Sequence, residues 1–146
     1  MPDEKTPPLQ GAYFGFELDG IQVGYFTQVT GLSMTLEVKE HQTMDKNSRV
    51  LMKIPGHRSF PQIGLHRGLT TDMTLQDWLK DTIQGRIERK TAAIVIYDRD
   101  KKPQARFSID QAYPSHMDIS EFSVSEGGKP VIETMLIQHD LLTWDP

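Results

Sequence analysis

The strongest constraint on this chain is a two-residue periodicity that recurs along most of its length. Ala12, Phe14, Phe16 and Leu18 alternate with Tyr13, Gly15 and Glu17, the pattern of a half-buried strand. Asp19-Gly20 follows, the strongest short hairpin signal, and Ile21, Val23 and Tyr25 resume the alternation. Residues 12–18 and 21–27 therefore predict a β-hairpin. Gly31 marks a turn or bulge. A third strand is expected with Met34, Leu36 and Val38 buried and Thr35, Glu37 and Lys39 wetted, which suits an antiparallel sheet. Ile63 and Leu65 restore the period up to Arg67-Gly68. The run 92–97 is almost continuously apolar and predicts a strand covered on both faces. Asp98 to Pro103 reads as a turn into 105–110, and Tyr113-Pro114 is expected to end that hairpin. Phe122 and Val124 suggest a short strand, stopped by Gly127-Gly128-Lys129-Pro130. Val131 to Leu142 closes the chain as one strand covered on both sides, with a bulge. The count is seven or eight strands.

Only one stretch keeps a helical period. Leu75, Trp78, Leu79, Thr82 and Ile83 fall on one face of a helix over about 72–85. Thr71, Asp72 or Thr74 can cap its start, and Gly85 is placed to stop it. Gln76, Asp77, Lys80, Asp81 and Gln84 form the polar face. Trp78 is read as the core anchor joining helix to sheet.

With 146 residues there is room for one domain of ordinary size, over 12–146, behind a Pro-rich arm at 1–11. A 37% hydrophobic share excludes wholesale disorder. The net charge of −4 does not suit sequence-independent binding to nucleic acid. With no cysteine there is no disulfide framework, thiolate zinc site or Cys nucleophile. No run approaches a membrane span, and Met1 to Leu9 holds no apolar signal core, so cytoplasmic assembly is the expectation.

Between Gln42 and Phe60 the period is lost, and the segment reads as a loop long enough to be functional. From Lys46 to Arg67 there are five basic residues and no acidic one. From Phe107 to the end there are seven acidic residues against Lys129 alone. Chance segregation on a solvated surface is one explanation. The other is two complementary surfaces on one molecule, and identical subunits that join unlike patches meet head to tail, in rings or open stacks.

Catalytic patterns are missing. None of His41, His57, His66, His116 and His139 sits at metal-pair spacing on a helix. His139-Asp140 and His116 with Asp118 read as surface pairs. Gly56-His57-Arg58-Ser59-Phe60 lacks the second glycine of a nucleophile elbow. Gly127-Gly128-Lys129 lacks the upstream glycine and the hydroxyl residue of a phosphate loop. Glu37/Glu40 and Asp98/Asp100 have no burial to tune them. Neither an enzyme nor a cofactor is expected.

One series of motifs resembles a known family. Val29-Thr30-Gly31-Leu32 with Glu37-Val38, Lys53-Ile54-Pro55-Gly56, Ile63-x-Leu65-x-Arg67-Gly68-Leu69-Thr70, Leu75-x-x-Trp78, Gly85, Ala112-Tyr113-Pro114, and Ile132-Glu133-Thr134 with His139 occur in order over about 14–142. They resemble the signature of the tail tube proteins of contractile phages and of the inner tubes of phage-tail-like contractile injection systems. The chain departs from that pattern at the polar stretch 44–50, at Tyr113 and at the glycine-free end, so the branch of the family stays open.

The resemblance implies a mostly β fold, two packed antiparallel sheets with one flanking helix, contributing strands to an oligomeric β-barrel. It implies hexameric rings stacked head to tail inside a sheath, with baseplate, spike and tube-terminating proteins as partners. DNA or a protein effector would travel in the lumen. The particle would be a phage tail or an injection particle built in a bacterial cytoplasm. The 42–60 loop would reach a neighbouring ring or subunit through Lys46, Arg49, Lys53, Pro55, Gly56 and Arg58. Glu37 and Lys39, or Arg106 and Asp110, would face the lumen. The alternatives are a small β-barrel module binding single-stranded nucleic acid or glycan, suggested by the basic stretch near Phe60, and the tube of a needle-type secretion system of related fold.

Overall fold

The computed structural model describes residues 11–45, 48–68, 72–120 and 131–145. The arm before Gly11, Lys46, the Thr71 cap, the Phe122/Val124 strand and the Gly127–Pro130 turn lie outside them. Ten strands and one helix are formed among the described residues.

The alternation at the start of the chain becomes β1 (Tyr13–Leu18) and β2 (Ile21–Phe26). Asp19 and Gly20 both hold positive φ, 51° and 84°. That is the type I′ geometry whose twist matches a two-residue hairpin. β3 (Gln28–Thr30) is short, and Gly31 turns the chain at φ 86°, where a Cβ would strike the Gln62 carbonyl. β6 (Ile63–Gly68), β7 (Lys90–Tyr97) and β8 (Pro103–Ile119) follow, then β9 (Ile132–Gln138) and β10 (Leu141–Asp145).

These strands form two packed layers sharing one strand. The first sheet runs β2-β1-β7-β8-β10, and the second runs β3-β6-β9-β8, all antiparallel. Residues before Tyr113 in β8 serve the first sheet, and Tyr113 to Ile119 pair with β9. The strand therefore does not end at Tyr113-Pro114. It bulges at Gln111 (φ 57°), crosses into the second sheet and carries Pro114 beside a register shift. A bulge is where a strand tolerates a residue with no N–H to donate.

The end of the chain also differs from expectation. It is two strands broken at His139–Asp140, and β9 alternates strictly, with Glu133, Met135 and Ile137 buried. Its outward positions are Ile132, Thr134, Leu136 and Gln138, and the two apolar ones among them blur the period in the sequence.

Between the layers lie Phe16, Phe26, Ile63, Leu65, Ile94, Ile109, Met135 and Ile137, all essentially inaccessible. Helix α1 (Thr74–Ile83) packs against β8 and adds Leu75, Trp78 and Leu79 to this core. Asp72 accepts hydrogen bonds from the Thr74 N–H and hydroxyl, which holds its carboxyl below the usual value. At the other end Arg86 N–H reaches Asp81 O and Gly85 N–H reaches Thr82 O, with Gly85 at φ 90°. This is the paired closure of a Schellman motif. Ile83, expected on the buried face, is 75% exposed, so the buried face of α1 is limited to Leu75, Trp78 and Leu79.

The largest departure is at 42–60. It is no loop. β4 (Thr35–Asp45) and β5 (Ser48–Ser59) form a separate two-stranded antiparallel hairpin.

Candidate functional site

At roughly 3.3 Å per residue, twelve-residue β5 is about 40 Å long, comparable to a small domain's width. β4 and β5 form their ladder only with each other, in register from Thr35↔Ser59 to Asp45↔Ser48, with a bulge between Leu36 and Val38. Every described side chain on them is exposed apart from Thr43, while Gly56 is half-buried.

Cross-strand partners share a face. One face carries Val38 and Pro55, Glu40 and Lys53, Gln42 and Leu51, and Met44 and Arg49, continued beyond the bulge by Leu36 and Arg58. The other carries Lys39 and Ile54, His41 and Met52, and Thr43 and Val50. Both faces are thus rich in apolar groups, and both are bare. Leu36 is 54% exposed, Val38 58% and Met44 74%. The expectation that Leu36 and Val38 lie in a core is overturned, since no layer of the described chain covers β4. An exposed apolar surface of this kind marks an interaction site. Among the described residues neither outer edge of the hairpin pairs with a further strand, an edge that native chains otherwise protect.

Of the interface candidates, Arg49, Lys53, Pro55, Gly56 and Arg58 lie along β5, and Lys46 lies outside the described residues. The basic stretch is not uniform. Arg67 belongs to β6 and is buried, its Nε 3.3 Å from Glu133 Oε2. Gln76 of α1 donates to the other Glu133 oxygen at 2.7 Å. The Arg67 guanidinium also lies over the Phe26 ring, 4.9 Å from its centre, in space that a Cβ on Gly24 would fill. One cation of the basic stretch and one anion of the acidic third therefore neutralise each other in the core.

Glu37 and Lys39 stand on the projecting hairpin. Arg106 and Asp110 belong to the first sheet, on the face turned away from the core, because Ala105 and Ile109 alternate with them and are buried. Arg106 pairs with Glu17 at 2.8 Å, and Ser108 Oγ lies 3.4 Å from Asp145 on the same face. Tyr13, Tyr25 and Tyr97 cluster at one end of it, their ring centres 5.0–6.2 Å apart. Burial, then the nearby Glu17 charge, raises the Tyr97 phenol above its ordinary value. No other element of the described chain packs on this face.

Trp78 is buried, and its indole N–H donates to Glu88 O at 3.1 Å. His139 sets Nε2 3.1 Å from Pro61 O, and Asp140 pairs with Arg89, so these neighbours do not form a dyad. Among the described residues no group of His, Asp or Glu could hold a metal ion, and no helix is long and apolar enough to cross a membrane. An open groove of about 390 Å³ beside α1 is lined by Met73, Leu79, Ile83 and Met117 among others.

This geometry, a small two-layer β body with a bare projecting hairpin, has close parallels. The family model for the T4-like virus tail tube protein gp19 matches residues 10–143. The chain belongs to this tail tube family. Its role is that of a tube protomer.

Solved structures agree on the fold of this tail tube protein. A chain in the tube-terminating cap of the anti-feeding prophage is 18% identical, with TM-score 0.82, covering 99% of this chain and 95% of that one. A chain in the extended PVC sheath–tube complex of an extracellular contractile injection system is 17% identical, with TM-score 0.79 and coverages of 97% and 93%. Hcp1 from Flavobacterium johnsoniae is more distant, 15% identical with TM-score 0.53 over 90% and 94%. No curated protein matches the sequence.

Two sets of residues in this tail tube protein escaped the sequence reading. Val50, Met52 and Ile54 form an apolar row where a loop was expected, and Met73 and Ile87 are exposed on either side of the helix. The run Val50-Leu51-Met52-Lys53-Ile54 carries the same signal of a strand covered on both sides as 92–97 does. Pro55-Gly56 masked it.

Proposed function

We propose that this tail tube protomer forms hexameric rings that stack head to tail into the inner tube of a contractile injection machine, a phage tail or a phage-tail-like particle. The observation carrying this reading is the bare two-faced hairpin on a member of the tube family. An isolated subunit has nothing to cover it, and further copies of the chain supply the cover. Arg49, Lys53, Pro55, Gly56 and Arg58, with Lys46, then make contacts between subunits.

In the ring, the first sheets join edge to edge around a channel. The second sheet and α1 lie on one side of the first sheet, and six such layers have room only outside a narrow lumen. The bare face carrying Arg106 and Asp110 is therefore assigned to the channel wall. A surrounding sheath drives the tube through a target envelope, and baseplate and terminating proteins close its ends. The sheath–tube and cap assemblies of the similar structures support such partners. DNA or a protein effector passes through the lumen, and the particle is assembled in a bacterial cytoplasm. Catalysis has no part in this reading.

Negative-stain microscopy of the purified protein at rising concentration tests it. Rings and tubes are expected. A species that stays monomeric under all conditions, including with its baseplate partners, would sink the proposal. The binding-module alternative gains nothing from Phe60, which packs against the His139 ring at 5.7 Å instead of lining a basic groove.

A further inference from the structure

The projecting hairpin leaves the body through two short links, 31–34 and 60–62, and both are tied down. Leu32 on the first and Phe60 on the second pack against the core. Gly31 turns so closely over Gln62 that a Cβ there would strike the Gln62 carbonyl. The second link carries further ties. Gln138 Nε2 donates to Gln62 Oε1 at 2.9 Å and to Ser115 Oγ at 3.0 Å. Ser115 is the extra residue at the register shift after Pro114, with no partner on β9. Bulges re-aim side chains, and this one turns a hydroxyl toward Gln138. His139 fills the break between β9 and β10. It is only 8% exposed, and its ring stands against Phe60. Its Nε2–H donates to the Pro61 carbonyl at 3.1 Å, and Nδ1 has no hydrogen-bond partner in the described chain. The charges beside it are engaged elsewhere: Asp140 pairs with Arg89, whose guanidinium lies over the Tyr113 ring at 5.0 Å. An imidazole costs more to bury than a phenyl ring. What the histidine adds in return is one bond, and that bond falls on the hairpin's link.

We propose that Gln138 and His139 are positioning residues that set the direction in which the hairpin leaves the body. They hold residues 61 and 62, just beyond the last ladder pair, Thr35↔Ser59. Pro61 has its φ fixed by its ring, so a hold on its carbonyl leaves β5 little freedom to rotate. Without that hold, a ribbon whose ladder involves only its own two strands would swing about its links. Twelve-residue β5 is a long lever, and a small rotation at its root displaces the far end by many times as much. Through Ser115 the mount also reaches β8, so the hairpin's aim follows the strand that both sheets share. The bearing on assembly rests on the tube reading above. A hairpin already aimed meets a neighbouring copy without first being ordered, which lowers the cost of association.

Distances between paired spin labels test this in the full chain, which has no native cysteine to interfere. Met44→Cys with Lys102→Cys places one label far out on the hairpin and one on the exposed turn between β7 and β8. Below the concentration at which rings form, a single narrow distance peak is expected. Gln138→Ala and, separately, His139→Ala should each lose that peak to a broad distribution. Gln138→Ala removes no core side chain, so a lost peak with an unchanged melt separates aim from folding. His139→Gln supplies an amide N–H in place of the imidazole donor and should restore the peak. A broad distribution in the parent, or a narrow peak kept by either alanine variant, would overturn the inference. A His139→Gln variant as broad as His139→Ala would reduce the histidine to ring packing and overturn its part. Tube formation by the unlabelled alanine variants should slow as the peak is lost, and parental rates would cut the link to assembly. A narrow parental peak in a chain that never builds tubes would instead defeat the tube reading and leave the mount standing.

Discussion

Arg67 and Glu133 show how much a single ionic contact can hold. Four elements meet there: β6 and β9 supply the pair, α1 supplies Gln76, and β2 supplies Phe26 and the cleared space at Gly24. Both charged side chains are almost completely buried, and Arg67 Nη2 and Gln76 Oε1 have no hydrogen-bond partner. Removing one charge strands the other in a dry core. Arg67→Met should therefore cost about 3–5 kcal/mol of stability in urea unfolding. The double change Arg67→Met with Glu133→Leu should recover most of that and keep only the loss of Gln76's partner. A double variant no more stable than the single one would contradict this account. The sequence places Arg67 in a motif and Glu133 in another, yet nothing in the spacing says that they meet. Their pairing is long-range, and the charge segregation counted them as opposite surfaces.

Tyr97 gives a pH signature at the same scale. Its phenol is raised by burial and by Glu17, and its hydroxyl donates to Gln22 Oε1 at 3.3 Å. The neutral form is favoured in the fold. Stability from this group is full below the ordinary tyrosine value near ~10 and is lost as pH rises through the raised one. A phenolate absorbance titration should show one of the chain's four tyrosines ionising late. Tyr97→Phe should abolish that step; its persistence would mean that another tyrosine carries it.

At the level of elements, the hairpin is the part most at odds with the sequence reading. The front hairpin, β6 and α1 were legible because one chemical period dominated each, and β7 because its apolar run is unbroken. Of the projecting hairpin only the start of β4 was legible, as a strand through Thr35 to Lys39; β5 was not, since both its parities carry apolar and basic groups and no period survives. The break at Tyr113-Pro114 was misread for a related reason: proline signals an end only if the strand has no bulge to place it in. Because β4 and β5 form a sheet of their own, deleting residues 44–52 and closing the strands with a short turn should leave the melting temperature within a few degrees of the parent. Assembly, followed by sedimentation, should be abolished. Normal tubes from that deletion would remove the hairpin from the interface.

For the whole molecule, the segregation of charge survives in reduced form once Arg67 and Glu133 are paired inside. Arg49, Lys53 and Arg58 extend outward on the hairpin, and Asp118 and Asp145 stay exposed on the body, Asp140 being paired with Arg89. Unlike patches on identical subunits associate head to tail, and exposed charges steer that encounter only within the Debye length. Light scattering should therefore show tube formation slowing as salt rises from ~10 mM, where the Debye length is ~30 Å, to ~1 M, where it is ~3 Å. A rate indifferent to salt would leave the apolar faces as the sole drivers.

β8 has a mechanical consequence. Its 17 residues run unbroken from one sheet into the other. A thrust delivered to one layer passes to the second along covalent backbone, without crossing a slip plane between packed side chains. The bulge at Gln111 and the register shift beside Pro114 are the irregular points along that path. A subunit built this way resists shear between its layers, and under impact it yields first at its contacts with other subunits.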